Sequence, residues 1–265
     1  MSLLIMVLKQ VFENLSVAIR FSLFWIFISI PFHIWSISNS LNSSAAINIT
    51  DPSMIDRIWS TLVVNLLFTL VLWVVGTSVA INWHRYVLRD EIPAQTFLPS
   101  LKNVTFAYMW TSLKIGMIVL AITIPAMLLF GLISAVAGGN DFFLILLVLI
   151  LLGLFLYFIP IVLRMSVILP SIALEKPLII EEAMELTKDL NGKIFGSIVL
   201  FTLSMGVIGG IVQFALVFII SETTTLIILT SIINFILSWF SFFISLGLLT
   251  VIYGYAVEKR ALSYD

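Results

Sequence analysis

The sequence predicts an all-α, polytopic membrane protein with six transmembrane helices. Uncharged stretches of 22–35 residues, set off by charged residues, cover 21–50, 58–84, 115–140, 142–163, 194–221 and 223–257. A spanning helix needs about 20 predominantly apolar residues. Hydrophobic residues make up 61% of the 265-residue chain and charged residues 10%, against about 45–50% and 25% in soluble domains. No length remains for a soluble domain, so residues 1–265 are predicted to form one integral membrane domain.

The six spans are predicted to pair as three hairpins. We place them at residues 17–37, 58–84, 112–137, 142–165, 194–220 and 226–256. The loops that follow the first, third and fifth spans are 38–57, 138–141 and 221–225, and the last two are very short. Short connections join antiparallel neighbouring helices.

Amphipathic segments precede the first, third and fifth spans, at residues 2–13, 97–110 and 178–190. The clearest is 178–190, whose charged residues oppose an apolar face of Ile179, Ala183, Leu186 and Leu190. We predict that these segments lie in the headgroup plane as interfacial helices. The alternative is that each extends the span that follows it.

The distribution of Lys and Arg predicts the orientation. Twelve of the 13 basic residues fall in the two termini and in the loops after the second and fourth spans, with Arg57 alone on the other side. Basic residues are retained on the cytoplasmic side during insertion. Both termini are therefore predicted to be cytoplasmic.

An internal repeat relates the first and third spans at an offset of 94 residues. Arg20, Ser29 and Pro31 align with Lys114, Thr123 and Pro125. Because proline frees the carbonyl four residues earlier, each is expected to disrupt its helix, and the nearby hydroxyl can satisfy a freed group. The fifth span fits the pattern loosely, with Ser204 where the others have proline.

Composition excludes several classes of function. There is no cysteine, so disulfides, thiol catalysis and cysteine-ligated metals are excluded. The net charge of −1 gives no indication of nucleic acid as a partner, and the two histidines lie far apart. We identify no catalytic, cofactor-binding or metal-binding residues, and the chain is not predicted to be an enzyme.

Basic residues at the cytoplasmic span ends are the first candidate site. Long cationic side chains there reach the headgroups, so lipid-phosphate contact or anchoring is expected. The candidates are Arg20, Arg85, Lys114, Arg164 and Lys193. Arg164 differs from the others because apolar sequence continues beyond it, and it is expected to point inward.

Three amides, Asn65, Gln213 and Asn234, form the second candidate site at similar depth in their spans. An amide in hydrocarbon needs partners, so these side chains are expected to join helices or, alternatively, to line a substrate cavity. Gly206 and Gly210, with Gly209, predict a close helix approach, within the monomer in preference to a dimer. The tryptophans, Trp83 among them, fall largely toward span ends and predict an interfacial belt.

Two segments resemble a known family. They are the sequence WHRY at 83–86 and the stretch 163–188, which begins LRMSVILPSIALEKP and ends EAMELTK. Both resemble the YciC-like bacterial inner-membrane proteins, a group similar to the membrane domain fused to some glycerophosphodiester phosphodiesterases. The resemblance implies a six-helix inner-membrane protein. It supplies no activity, because this chain has no phosphodiesterase domain.

Two functions follow as hypotheses. The first is a structural, lipid-organising or partner-binding protein of the bacterial inner membrane, whose partners are membrane lipids and other membrane proteins. The alternative is a transporter or channel for a small or lipidic substrate, since transporters often contain repeats with broken helices.

Overall fold

The computed structural model describes residues 3–42, 52–92, 102–136, 141–220 and 222–260. These residues form helices and their connections, without a strand. The helices are α1 (Leu3–Glu13), α2 (Leu15–Asn42), α3 (Pro52–Arg89), α4 (Asn103–Val136), α5 (Asp141–Ser166), α6 (Ile168–Ala173), α7 (Ile180–Leu186), α8 (Asn191–Ile219) and α9 (Thr223–Ala256). A 3-10 turn, Lys188–Leu190, connects α7 to α8.

Six segments of the described chain are helical, long and apolar enough to cross a membrane, which confirms the predicted all-α class and the six apolar helices. They are Leu15–Asn39, Ile58–Arg89, Asn103–Ala135, Ile145–Ala173, Lys188–Ile219 and Thr223–Ala256. Of the predicted loop 38–57, residues 43–51 lie outside the described residues, while 38–42 belong to α2 and 52–57 to α3. Residues 138–140 of the predicted turn at 138–141, and residue 221, also lie outside the described residues.

Several helices run well past the apolar stretches that predicted them. Helix α4 begins at Asn103, before the predicted span 112–137, and α3 continues to Arg89, beyond the predicted span 58–84. Charged and polar residues such as Lys114 and Arg85 are good or tolerable helix formers. The uncharged stretch therefore marks the apolar part of a helix and not its ends.

The three amphipathic segments have different outcomes. Helix α1 is a separate element, since the chain turns at Asn14 before α2 begins. Of the segment 97–110, the part 97–101 lies outside the described residues, and the rest continues into α4 as an extension of the span. In α7, Ala183 is buried while Glu181 and Glu185 are exposed, and Leu190 is buried in the 3-10 turn that follows. Ile179, assigned to the apolar face, is exposed.

The chain divides into two compact units, each assembled from segments that are distant in sequence. The first contains residues 1–7, 102–200 and 248–265. Within it α4 packs on α5 and α6, and α5 packs on α7. The short helix α6 is buried over most of its length, so it forms part of the core of this unit.

The second unit contains residues 8–101 and 201–247, and α2 packs on α3 within it. Its core is aromatic. Trp83 is fully buried and meets Phe243 edge to face, with 5.1 Å between ring centroids. Trp239 donates its indole N–H to Ser22 Oγ at 2.8 Å. The prediction that Trp83 belongs to an interfacial belt is therefore wrong, because its ring fills a core position near the end of an apolar stretch.

Neither proline of the proposed repeat ends its helix. Helix α2 continues through Pro31 and α4 continues through Pro125. Ser29 donates its hydroxyl to the carbonyl of Trp25 at 2.6 Å, not to that of Phe27, the group that Pro31 leaves without its usual donor. The repeat itself stays a prediction.

The three glycines predicted to allow a close helix approach in α8 have different surroundings. A Cβ at Gly206 or Gly210 has no heavy atom within 4 Å, and both residues are exposed. Gly209 faces α9 instead, where a Cβ lies 3.9 Å from Leu237 Cδ1. Of the three glycines, only Gly209 therefore faces another helix within the described residues, and Gly206 and Gly210 do not contribute to that contact.

Candidate functional site

Arg164 lies in the last turn of α5 and binds the end of α7. Its Nε donates to Thr187 Oγ1 at 3.2 Å, and one Nη donates to the carbonyl of Met184 at 2.5 Å. The last carbonyls of a helix lack intrahelical donors and carry partial negative charge. Thr187 in turn donates its hydroxyl to the carbonyl of Ala183 at 2.7 Å, which leaves its lone pairs for the guanidinium. The half-buried Arg164 thus caps α7 from outside.

The chain reverses between α6 and α7 through a tight turn. Glu175 has φ of 59°, in the left-handed region, and its N–H donates to the carbonyl of Ile172 at 2.9 Å. The N–H of Lys176 donates to the carbonyl of Ser171, also at 2.9 Å. These two bonds form a Schellman motif, in which glycine is the usual residue at the left-handed position. The turn ends α6 and directs the chain toward α7.

Ser171 holds the segment that follows this turn. It is fully buried, accepts from the N–H of Leu178 at 3.0 Å, and donates to the carbonyl of Ile168 at 2.6 Å. The bond to Leu178 spans seven residues, so it fixes the connection just before α7 begins. Ser171 and Arg164 therefore position α7 from its two ends. Both residues belong to the stretch 163–188, and both have a structural role.

The other candidate cations have separate surroundings. Lys114 Nζ lies 5.6 Å from the ring centroid of Trp110, and Lys193 Nζ lies 5.8 Å from that of Tyr255. Arg85 forms an ion pair with Glu91 at 3.9 Å, and Arg20 is exposed. None of these contacts joins two of the five cations. Each of the two lysines places its ammonium group above an aromatic ring, and both residue types are favoured at a membrane interface.

Two of the three amides meet. Gln213 on α8 donates to Asn234 Oδ1 on α9 at 3.4 Å, and its own Oε1 accepts from Thr230 at 3.3 Å. Asn65 instead donates to the carbonyl of Thr61 in its own helix at 2.7 Å. Sequence reasoning missed Thr230, although it lies one helical turn before Asn234 and on the same face. The arrangement connects α8 to α9 through polar groups that satisfy one another.

A further pair that sequence reasoning missed is Tyr86 and Asn14. The Tyr86 hydroxyl donates to Asn14 Oδ1 at 2.6 Å, and the Asn14 amide donates to the carbonyl of Gln10 at 2.8 Å. Asn14 lies at the turn between α1 and α2. Within the WHRY segment, Trp83 and His84 are fully buried. This segment therefore serves packing and the α1–α2 turn in the structure.

The described residues contain no group of three or more His, Cys, Asp or Glu side chains arranged to hold a metal ion. No family model matches the chain, and no curated protein or solved structure was found to be similar to it.

Proposed function

We propose that this chain is a non-catalytic, multi-pass protein of a bacterial inner membrane that organises anionic lipids at its cytoplasmic side. One observation carries the proposal, namely the collection of 12 of 13 basic residues at one set of span ends. Cations at that level attract anionic headgroups by about 1 kcal/mol each. The rings beneath Lys114 and Lys193 support an interfacial position for these two residues.

The topology in this proposal is six spans in one membrane domain, as three hairpins with both termini cytoplasmic. The packing of α2 on α3 and of α4 on α5 supports the first two hairpins. The bonds from Gln213 to Asn234 and Thr230 support the third. Apolar side chains along the spans are widely exposed, for example Leu128 at 70% and Phe218 at 81%. Lipid covers such surface without the free-energy cost that water imposes.

A transporter or channel for a small or lipidic substrate is the second candidate. The polar group formed by Gln213, Asn234 and Thr230, within a predominantly apolar pair of helices, is the observation that favours it. These side chains form hydrogen bonds with one another, which is typical of contacts that join transmembrane helices. This arrangement favours the first proposal. The resemblance of 83–86 and 163–188 to YciC-like inner-membrane proteins agrees with either function.

Lipid analysis of the purified protein tests the proposal. The full chain is extracted from a bacterial membrane in mild detergent, and the lipids and proteins that co-purify are quantified by mass spectrometry. We expect phosphatidylglycerol or cardiolipin to be enriched over their fractions in the source membrane. Bound lipid with the composition of that membrane would contradict the proposal. A small molecule that co-purifies with the wild type and is lost in Gln213→Leu would favour the transporter.

A further inference from the structure

A polar groove lies between the start of α8 and the end of α9, within the first compact unit. Its volume is about 360 Å³. The polar residues that line it are Asp189, Lys193, Tyr255, Lys259 and Arg260. Three cations and one carboxylate give the lining a net charge of +2, in a chain whose overall charge is −1. A concave site of this size lies within the range of small-ligand pockets, about 300–1,000 Å³.

The backbone after α9 turns sharply and brings two of these cations to the groove. Lys259 has φ of 55°, and the N–H of Arg260 donates to the carbonyl of Gly254 at 3.0 Å. Lys259 Nζ donates to the carbonyl of Ala256 at 2.9 Å. An ammonium has three donors, so two remain available to a ligand. The turn thus holds Lys259 in a defined position at the helix end.

The remaining polar groups complete a set of donors. Arg260 Nε is 2.6 Å from Glu258 Oε2, an ion pair beside the groove. Lys193 reaches over the ring of Tyr255, with its Nζ 5.8 Å from the centroid. Guanidinium and ammonium groups are the donors that bind phosphate oxygens in proteins, and they form strong, charge-assisted hydrogen bonds.

The groove also lies at the ends of two candidate spans. Lys193 is near the start of the span Lys188–Ile219, and Tyr255 is next to the last residue of the span Thr223–Ala256. Charged side chains give way to apolar ones at this level of both helices. A lipid that lies along these helices would bring its phosphate to the same level as the cations.

We infer that this groove binds a phosphate group, with the headgroup of an anionic glycerophospholipid as the source that its place at the span ends favours. The inference rests on the proposed function and makes it specific, because it assigns the lipid contact to Lys193, Lys259 and Arg260. It also separates these residues from Arg164, whose Nε and one Nη bind protein acceptors.

The test compares two triple variants of the full chain in nanodiscs that contain phosphatidylcholine and a minor fraction of phosphatidylglycerol. The pocket variant carries Lys193→Gln, Lys259→Gln and Arg260→Gln. The control carries Lys9→Gln, Lys102→Gln and Lys176→Gln, which removes the same charge from exposed residues that do not line the groove. Native mass spectrometry measures the ratio of bound phosphatidylglycerol to phosphatidylcholine. We expect the pocket variant to lower this ratio by at least about tenfold and the control to leave it within about twofold.

A second arm distinguishes a lipid from a soluble ligand. Binding of inorganic phosphate and of glycerol 3-phosphate is measured in discs of phosphatidylcholine alone. Millimolar binding that is lost in the pocket variant, without any lipid preference in the wild type, would identify a soluble phosphate compound as the source. If neither arm responds to the pocket variant, the inference is overturned.

Two further measurements keep the outcome interpretable. A charge-preserving variant, with Lys193→Arg, Lys259→Arg and Arg260→Lys, is expected to restore the lipid preference if the loss reflects charge and not misfolding. A photoactivatable phosphatidylglycerol is incorporated with the wild type, and its cross-links are expected in peptides that contain Lys193 or Tyr255. Cross-links elsewhere, with enrichment kept in the pocket variant, would refute the groove and leave the lipid-organising function intact. Absence of enrichment in the wild type would refute that function itself.

Discussion

Arg164 in the last turn of α5 and Thr187 at the end of α7 are joined by a hydrogen bond of 3.2 Å from Nε to Oγ1. Together with the bond to Met184, this contact attaches a short helix to a long apolar one. Helix α7 has seven residues, fewer than an isolated helix needs to be stable in water. Its position therefore depends on contacts with other parts of the chain. Arg164 supplies one of them, through its charged guanidinium group.

Replacing Arg164 should weaken the first unit. We expect Arg164→Ala to lower the free energy of unfolding by about 2 kcal/mol, because the carbonyl of Met184 loses a charged donor. Unfolding in mixed micelles with increasing SDS measures this change. Lys176→Ala is the matched control, since Lys176 is exposed, and it should alter stability by less than about 0.5 kcal/mol. Equal stabilities for both variants would remove the role assigned to Arg164.

Ser171 is expected to be as important as Arg164, although it carries no charge. Ser171→Ala leaves the N–H of Leu178 without its acceptor, and an unsatisfied buried donor costs about 1–3 kcal/mol. Ser166→Ala is the control, because the hydroxyl of this buried serine bonds the carbonyl of Val162 within its own helix. The same SDS titration should separate the two variants clearly. A larger loss for Ser166→Ala would show that the turn before α7 is not held as described.

Glu175 should tolerate glycine better than most positions do. A left-handed conformation costs a residue with a Cβ about 1–2 kcal/mol, and glycine avoids this cost. The greater entropy of glycine in the unfolded chain offsets about 0.5–1 kcal/mol of that gain. We therefore expect Glu175→Gly to raise the unfolding free energy by about 0.5 kcal/mol. Glu182→Gly, inside α7, should lower it by about 1 kcal/mol. The prediction fails if both substitutions destabilise the protein alike.

Sequence reasoning predicts the features that consecutive residues encode, and it misses those that depend on contacts between distant residues. The six apolar helices follow from composition alone, since each is encoded by consecutive residues. The partner of Arg164 does not, because Thr187 is brought to it by the turn at Glu175, whose residue type does not suggest a left-handed conformation. Trp83 was misjudged for a related reason. A tryptophan near a span end is equally compatible with an interface and with a core, and only packing against Phe243 distinguishes the two.

The amide pair should couple weakly but measurably. In a double-mutant cycle of Gln213→Leu and Asn234→Leu, we expect an interaction energy of about 0.6 kcal/mol, the mean for polar contacts between transmembrane helices. A cycle of Gln213→Leu with Asn65→Leu should give none, because Asn65 bonds its own helix. Unfolding in SDS supplies all the free energies. Equal coupling in the two cycles would indicate that the three amides act together, as a shared cavity requires.

The orientation can be tested through the residues that predict it. Reporter fusions after Asp265 should report a cytoplasmic position, and insertions within 43–50 a periplasmic one, because 12 of 13 basic residues are on the proposed inner side. The single exception gives a sharper test. Arg57→Gln should leave every reporter unchanged, since it strengthens the asymmetry. Four lysines added within 43–50 reduce it and should place a fraction of molecules in the opposite orientation. A periplasmic C-terminus in the wild type would refute the topology, and the groove at Lys193, Lys259 and Arg260 would then face the leaflet opposite to the one proposed.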